Sequence, residues 1–233
     1  HALVRPALLT SVLGYTLAAL SVLIDVGRPW NAWNLMLPWR WNTNSVLLEV
    51  AICIMSYTVV LWIELAPAFL EGFEASRSPL LRTLAGLRGP LERALPFILA
   101  LGLVLPTMHQ SSLGSLLLLA RTKVHALWHT PFLPLLYLLS VVGMGYAVVV
   151  IEGAISSLAL GRKPETRMLG RIAQVLPALG LAWIVIRIAD LAMRGRLGLV
   201  FGSGGLSLAF LLEIALMATA SILIYAGRGR ELS

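Results

Sequence analysis

Of the chain's 233 residues, 58% are hydrophobic and 12% charged, with a mean hydropathy of +0.87; soluble domains carry roughly 25% charge. That balance excludes an ordinary soluble enzyme and predicts an all-α, polytopic transmembrane helix bundle. Cys53 is the single cysteine, so neither a disulfide framework nor a thiolate-bound zinc or iron–sulfur centre is expected within the chain. The net charge of +7 sits in short connectors between apolar runs, which reads as a topology signal and not as a nucleic-acid surface.

A bilayer span needs about 20 mostly apolar residues. The apolar runs predict six spans, at about 6–24, 45–69, 94–108, 131–155, 169–193 and 205–226, within a single integral membrane domain over 1–233. The first residue is His1, and a hydrophobic span follows almost at once. No charged leader region or small-residue cleavage site precedes it, so a signal peptide is not expected. The expectation is a chain that begins inside a longer protein with earlier helices.

After the first span, Asp25–Asn44 is a polar connector holding Trp30, Trp33, Trp39 and Trp41. Tryptophan collects where lipid meets water, so an aromatic belt is the plain reading for each ring. Gly27-Arg28-Pro29 adds a stiff turn and a cation at the end of a helix. The second span carries Glu49, with Cys53, Ser56 and Tyr57 at offsets that share its helical face; Glu64 lies off that face. A polar seam between helices and a proton-handling site both account for Glu49.

Residues 71–92 read as one amphipathic helix on the cytoplasmic surface, its leucines alternating with Arg77, Arg82 and Arg88. The third span is short. Residues 109–120 read as a membrane-embedded or interfacial continuation broken from it near Pro106. That places His109, His125 and His129 in one outer-face connector. A membrane-held b-type haem needs axial histidines inside spans, so no haem is expected in this subunit, and no histidine spacing points to a metal. In the fifth span Arg187 and Asp190 stand three residues apart on one face, as a structural ion pair or a proton relay. Glu213 lies in the sixth span, and together with Glu49 and the Arg187–Asp190 pair it defines a candidate polar path.

Eleven Lys and Arg residues fall on the side of Arg5 and the 71–92 loop, against six on the side of Arg28 and Arg196. The richer side is cytoplasmic by the positive-inside rule. Loops 25–44 and 109–130 then face the periplasm of a bacterial-type inner membrane.

Four strings, Gly27-Arg-Pro-Trp-Asn-Ala-Trp, Asn44-Ser-Val-Leu-Leu-Glu-Val, Met108-His-Gln-Ser-Ser-Leu-Gly-Ser and Ala189-Asp-Leu-Ala, resemble the NrfD/polysulfide-reductase family of membrane subunits, and within it the hydrogenase-2-type subunits. The resemblance covers essentially the whole chain, with Met108–Ser115 its most specific string. It implies electron exchange between a ferredoxin-like iron–sulfur partner subunit and membrane quinone (menaquinone or ubiquinone), in complexes with hydrogenase or molybdoenzyme subunits. On that basis His109 is the expected quinone hydrogen-bond partner and proton donor or acceptor, with Glu49 and Asp190 as acidic relay. Gln110 and Ser112 leave room for a head group, while Arg28, Trp30 and Arg187 shape the pocket and its potential. A proton-coupled transporter and a purely structural membrane anchor are the competing readings.

Overall fold

The computed structural model describes residues 4–25, 27–74, 78–120, 122–159, 161, 166–202 and 204–231. Among them all regular structure is helical. The helices are α1 (Val4–Asp25), α2 (Val46–Phe73), α3 (Pro79–Ala85), α4 (Arg88–Leu119), α5 (Leu133–Ala159), α6 (Thr166–Ala173), α7 (Leu176–Met193) and α8 (Gly205–Glu231), with short 3-10 segments at Pro29–Met36, Pro38–Arg40 and Leu197–Phe201. Six helical stretches are long and apolar enough to cross a membrane: Arg5–Ile24, Val46–Phe73, Pro79–Leu119, Leu133–Ala159, Met168–Met193 and Gly205–Gly227. The helices satisfy their own backbone groups, as hydrocarbon demands, and most of their leucines stay exposed, as on a lipid-facing surface.

Two sequence expectations change. The segment 109–120 is the membrane-embedded alternative without the expected break, because α4 runs continuously through Pro96 and Pro106 to Leu119. Each proline removes one intrahelical N–H but keeps a helical φ. Breaking the helix in lipid would strip several backbone bonds instead of one, so continuity wins. His109, Gln110 and Ser112 therefore lie inside a spanning helix. The expected amphipathic helix over 71–92 is likewise divided. Its start is the end of α2, its middle is the seven-residue α3, and its end is the first turn of α4; Arg77 lies outside the described residues. Leu80 and Leu84 of α3 remain exposed, as an interfacial helix requires.

The chain packs as two compact units, His1–Ser112 and Leu113–Ser233. In the first, α1 lies along α2, and Val12, Leu61 and Leu65 form a core flanked by Leu8, Tyr15 and Tyr57. Trp62 donates its indole N–H to Thr16 Oγ1 at 3.1 Å, tying the same two helices. The Glu64 carboxyl stands directly against Gly102, where a Cβ would collide with it. In the second unit, α7 packs on α5 and α8, around Leu127, Leu191, Val200 and Phe210. Gly114 is fixed by close approach, because a Cβ there would reach 2.5 Å from Pro134 Cα.

Candidate functional site

The first unit holds a polar cluster built on α1, α2 and α4. His109 is 4% exposed, with the Tyr15 hydroxyl 3.4 Å from Nδ1 and the Gln110 amide nitrogen 3.3 Å from Nε2. With the Gln110 amide nitrogen donating to Nε2, the matching tautomer carries its ring proton on Nδ1, facing the Tyr15 oxygen. Tyr15 is held in turn edge-on to Tyr57, their centroids 4.4 Å apart. Three residues beyond His109 on the same helix face, buried Ser112 donates to Glu49 Oε1 at 2.6 Å. Glu49 occupies the first turn of α2, where Ser45 caps the helix by accepting from Leu48 N. A carboxylate is favoured at that end by the unpaired N–H groups, and the Glu49 side chain stays accessible. The arrangement offers a buried imidazole with neutral partners and, one turn away, a reachable carboxylate.

The second unit holds another polar cluster. Arg187 is 2% exposed and Asp190 4%, yet they do not form the expected ion pair. The Asp190 carboxylate accepts from Arg194 Nε at 2.9 Å, the i,i+4 spacing that stacks side chains along a helix. Arg187 instead donates through Nη1 to the Trp128 carbonyl at 3.2 Å and lies 5.6 Å from the ring centroids of both Trp183 and Phe210. Buried aromatic faces stabilise a desolvated cation by roughly 2 kcal/mol. The Trp128 indole donates to Glu213 Oε2 at 2.8 Å, so one tryptophan joins the cation and the acid through different groups.

The expected site residues therefore divide. His109, Gln110, Ser112 and Glu49 come together in the first unit; Arg187, Asp190 and Glu213 come together in the second. Of the residues of the candidate polar path, Glu49 belongs to the first cluster and Arg187, Asp190 and Glu213 to the second, and each cluster is described by itself. Arg28 and Trp30 are exposed on the connector, Trp30 at 69%. There Arg40 bonds Asn34 Oδ1 and lies over Trp33. Sequence reasoning missed Tyr15, Trp128 and Arg194 as members of these clusters. Tyr15 carried a signal, being a hydroxyl within an apolar run that needs a partner once buried. Arg194 was counted only as a topology charge.

These features define a multi-pass helical membrane protein with two buried polar clusters. The chain belongs to the NrfD family: the family described as "Polysulphide reductase, NrfD" matches residues 1–231. It is similar to the "Probable Ni/Fe-hydrogenase 2 b-type cytochrome subunit" of Escherichia coli (strain K12), with 40% identity over 93% of this chain and 54% of that protein. It is also similar to two proteins of Nitratidesulfovibrio vulgaris. One is 34% identical over 67% of this chain and 38% of its own length. The other, "Menaquinone reductase, integral membrane subunit", is 29% identical over 81% of this chain and 45% of its own length. The chain thus spans about half or less of each of these relatives. No solved structure matches it significantly.

Proposed function

We propose that the chain is the membrane part of a quinone-linked respiratory complex, exchanging electrons between a partner iron–sulfur subunit and membrane quinone. The complex is a hydrogenase or a molybdoenzyme, in a bacterial inner membrane. The observation that carries this reading is the His109 cluster, a buried imidazole inside a spanning helix beside an accessible carboxylate. Family membership and the hydrogenase and menaquinone reductase names of its relatives support the redox class.

Reduction of a quinone takes two electrons and two protons. The electrons come from the partner's cluster; the protons require groups of this chain. Nδ1–H of His109 can turn from Tyr15 to a quinone carbonyl, stabilising the charge that develops on that oxygen. Glu49 exchanges protons with solvent, and Ser112 orients its carboxylate. Gln110 holds the imidazole tautomer that presents the proton. Asp190 is a second proton-exchanging acid, in the cluster with Arg187. Arg28 and Trp30 contribute a cation and an interfacial ring from the connector.

The test is quinone reduction by the assembled complex, with a soluble dye as control acceptor. Variants of His109 and Glu49 should lose quinone reduction and keep dye reduction. Wild-type rates and affinities with quinone in both would remove the site and leave a structural anchor.

A b-type haem fits the described residues poorly. The expectation that no histidine lies in a span fails for His109, but both its nitrogens are engaged. His125 and His129 both lie on the connector between α4 and α5, and not on the facing spans where b-type axial histidines stand. The purified full-length protein is expected to give no stoichiometric b-type α band in a reduced-minus-oxidised spectrum; a full band would overturn this.

The basic-residue imbalance supports a topology with the 25–44 connector outside and α3 inside. In a Cys53→Ala background, Asn31→Cys should react with an impermeant maleimide in intact spheroplasts and Thr83→Cys only after lysis. The reverse labelling would invert the topology.

A further inference from the structure

Beyond the His109 cluster, the second unit contains an open cleft of about 810 Å³. It is lined by Leu118 near the end of α4, His129 and Pro131 ahead of α5, and Arg194 and Arg196 just past α7. Three spanning helices therefore end around it, which sets it at the depth where apolar spans give way to lipid headgroups. Its lining holds two arginines and a histidine and no carboxylate.

Several of these donors are unspent. Arg194 uses Nε on Asp190 and Nη1 on the His129 carbonyl, at 2.9 and 2.8 Å. Its Nη2 is buried with no hydrogen-bond partner, and so is Nε2 of His129. Arg196 makes only a long 3.5 Å contact to the Ala126 carbonyl among the described hydrogen bonds. Buried donors without acceptors are costly unless a ligand supplies the acceptor. Asp190 neutralises one arginine and leaves the charge of the other for the cleft.

We propose that this cleft binds a phosphate group, the headgroup phosphate of an anionic phospholipid being the source its depth favours. A phosphate oxygen accepts from Arg196 and a second from Arg194 once its guanidinium turns the buried Nη2 edge into the cleft, the forked recognition guanidinium groups give to phosphate. His129 Nε2 adds a third donor when its ring proton lies there. Leu118 and Pro131 offer an apolar wall to the start of an acyl chain. Basic pockets between spanning helices hold anionic headgroups by this chemistry.

Full-length protein in a neutral detergent, titrated with phosphatidylglycerol, phosphatidylcholine or inorganic phosphate and followed by native mass spectrometry and thermal stability, decides the matter. Phosphatidylglycerol should bind and stabilise the protein, and Arg196→Gln should weaken it about tenfold or more. Arg196 is the clean change because it has no part in the Asp190 pair; Arg196→Lys should recover part of the affinity. Inorganic phosphate acting with the same Arg196 dependence while phosphatidylglycerol does not would keep the phosphate site and move its source to solution. If neither anion binds, or both bind equally to wild type and Arg196→Gln, the proposal is overturned. Quinone reduction measured on the same preparation is a separate readout, so the loss of one reading does not decide the other.

Discussion

A complex carrying His109→Ala should bind quinone about 5- to 150-fold more weakly, with dye reduction unchanged. The range follows from losing one hydrogen bond inside a dry site, worth about 1–3 kcal/mol. The imidazole is buried between Tyr15 and Gln110, so its removal leaves their polar groups without their partner and the head group without a donor. His109→Gln restores a donor near the same place without a titrating ring. It should recover affinity better than turnover, because an amide donates a hydrogen bond but cannot take up and release the proton. Steady-state quinone titrations on the assembled complex separate the two. Equal recovery of rate and affinity would reduce His109 to a hydrogen-bonding post.

Asp190→Asn has the larger effect on the protein itself. Asp190 is nearly buried and its bonded partner Arg194 is 21% exposed at the side chain. Losing the carboxylate leaves Arg194 uncompensated about two turns from buried Arg187. Breaking a buried pair from one side costs about 3–5 kcal/mol. The expected result is a clear fall in thermal stability together with slower quinone turnover. Stability alone does not show proton exchange, so the double variant Asp190→Asn/Arg194→Gln is the informative one. It removes both charges and should regain most of the stability while turnover stays low. If turnover returns with stability, Asp190 serves only to hold Arg194.

The spans were legible because 20-residue apolar runs leave hydrocarbon as their only stable setting. Their starts and ends agree within a few residues for α1, α2, α5 and α8, while the fifth span, expected as one helix over 169–193, is divided into α6 and α7. Pro106 misled the reading of α4, since a proline that breaks a helix in water costs less there than an unpaired loop would cost in lipid. That one error moved His109 from a connector into a span. Glu49 was legible as an acid near the start of a span, but its bond to Ser112 joins residues 63 apart, beyond any local pattern. The Arg187–Asp190 pair failed for another reason. Two arginines stood within helical reach of one carboxylate, and rings of Trp183 and Phe210 were waiting for the other cation.

The proline in α4 also has a mechanical consequence. Pro106 leaves the Gly102 carbonyl without its helical N–H donor, and Gly102 carries no side chain to brace that turn. The backbone of α4 is therefore one hydrogen bond short at Gly102–Pro106, in the turn before the one that carries His109. The Glu64 carboxyl of α2 fills the space beside the same glycine. A side chain added at Gly102 would have to displace that carboxyl, two turns before His109 on the same helix.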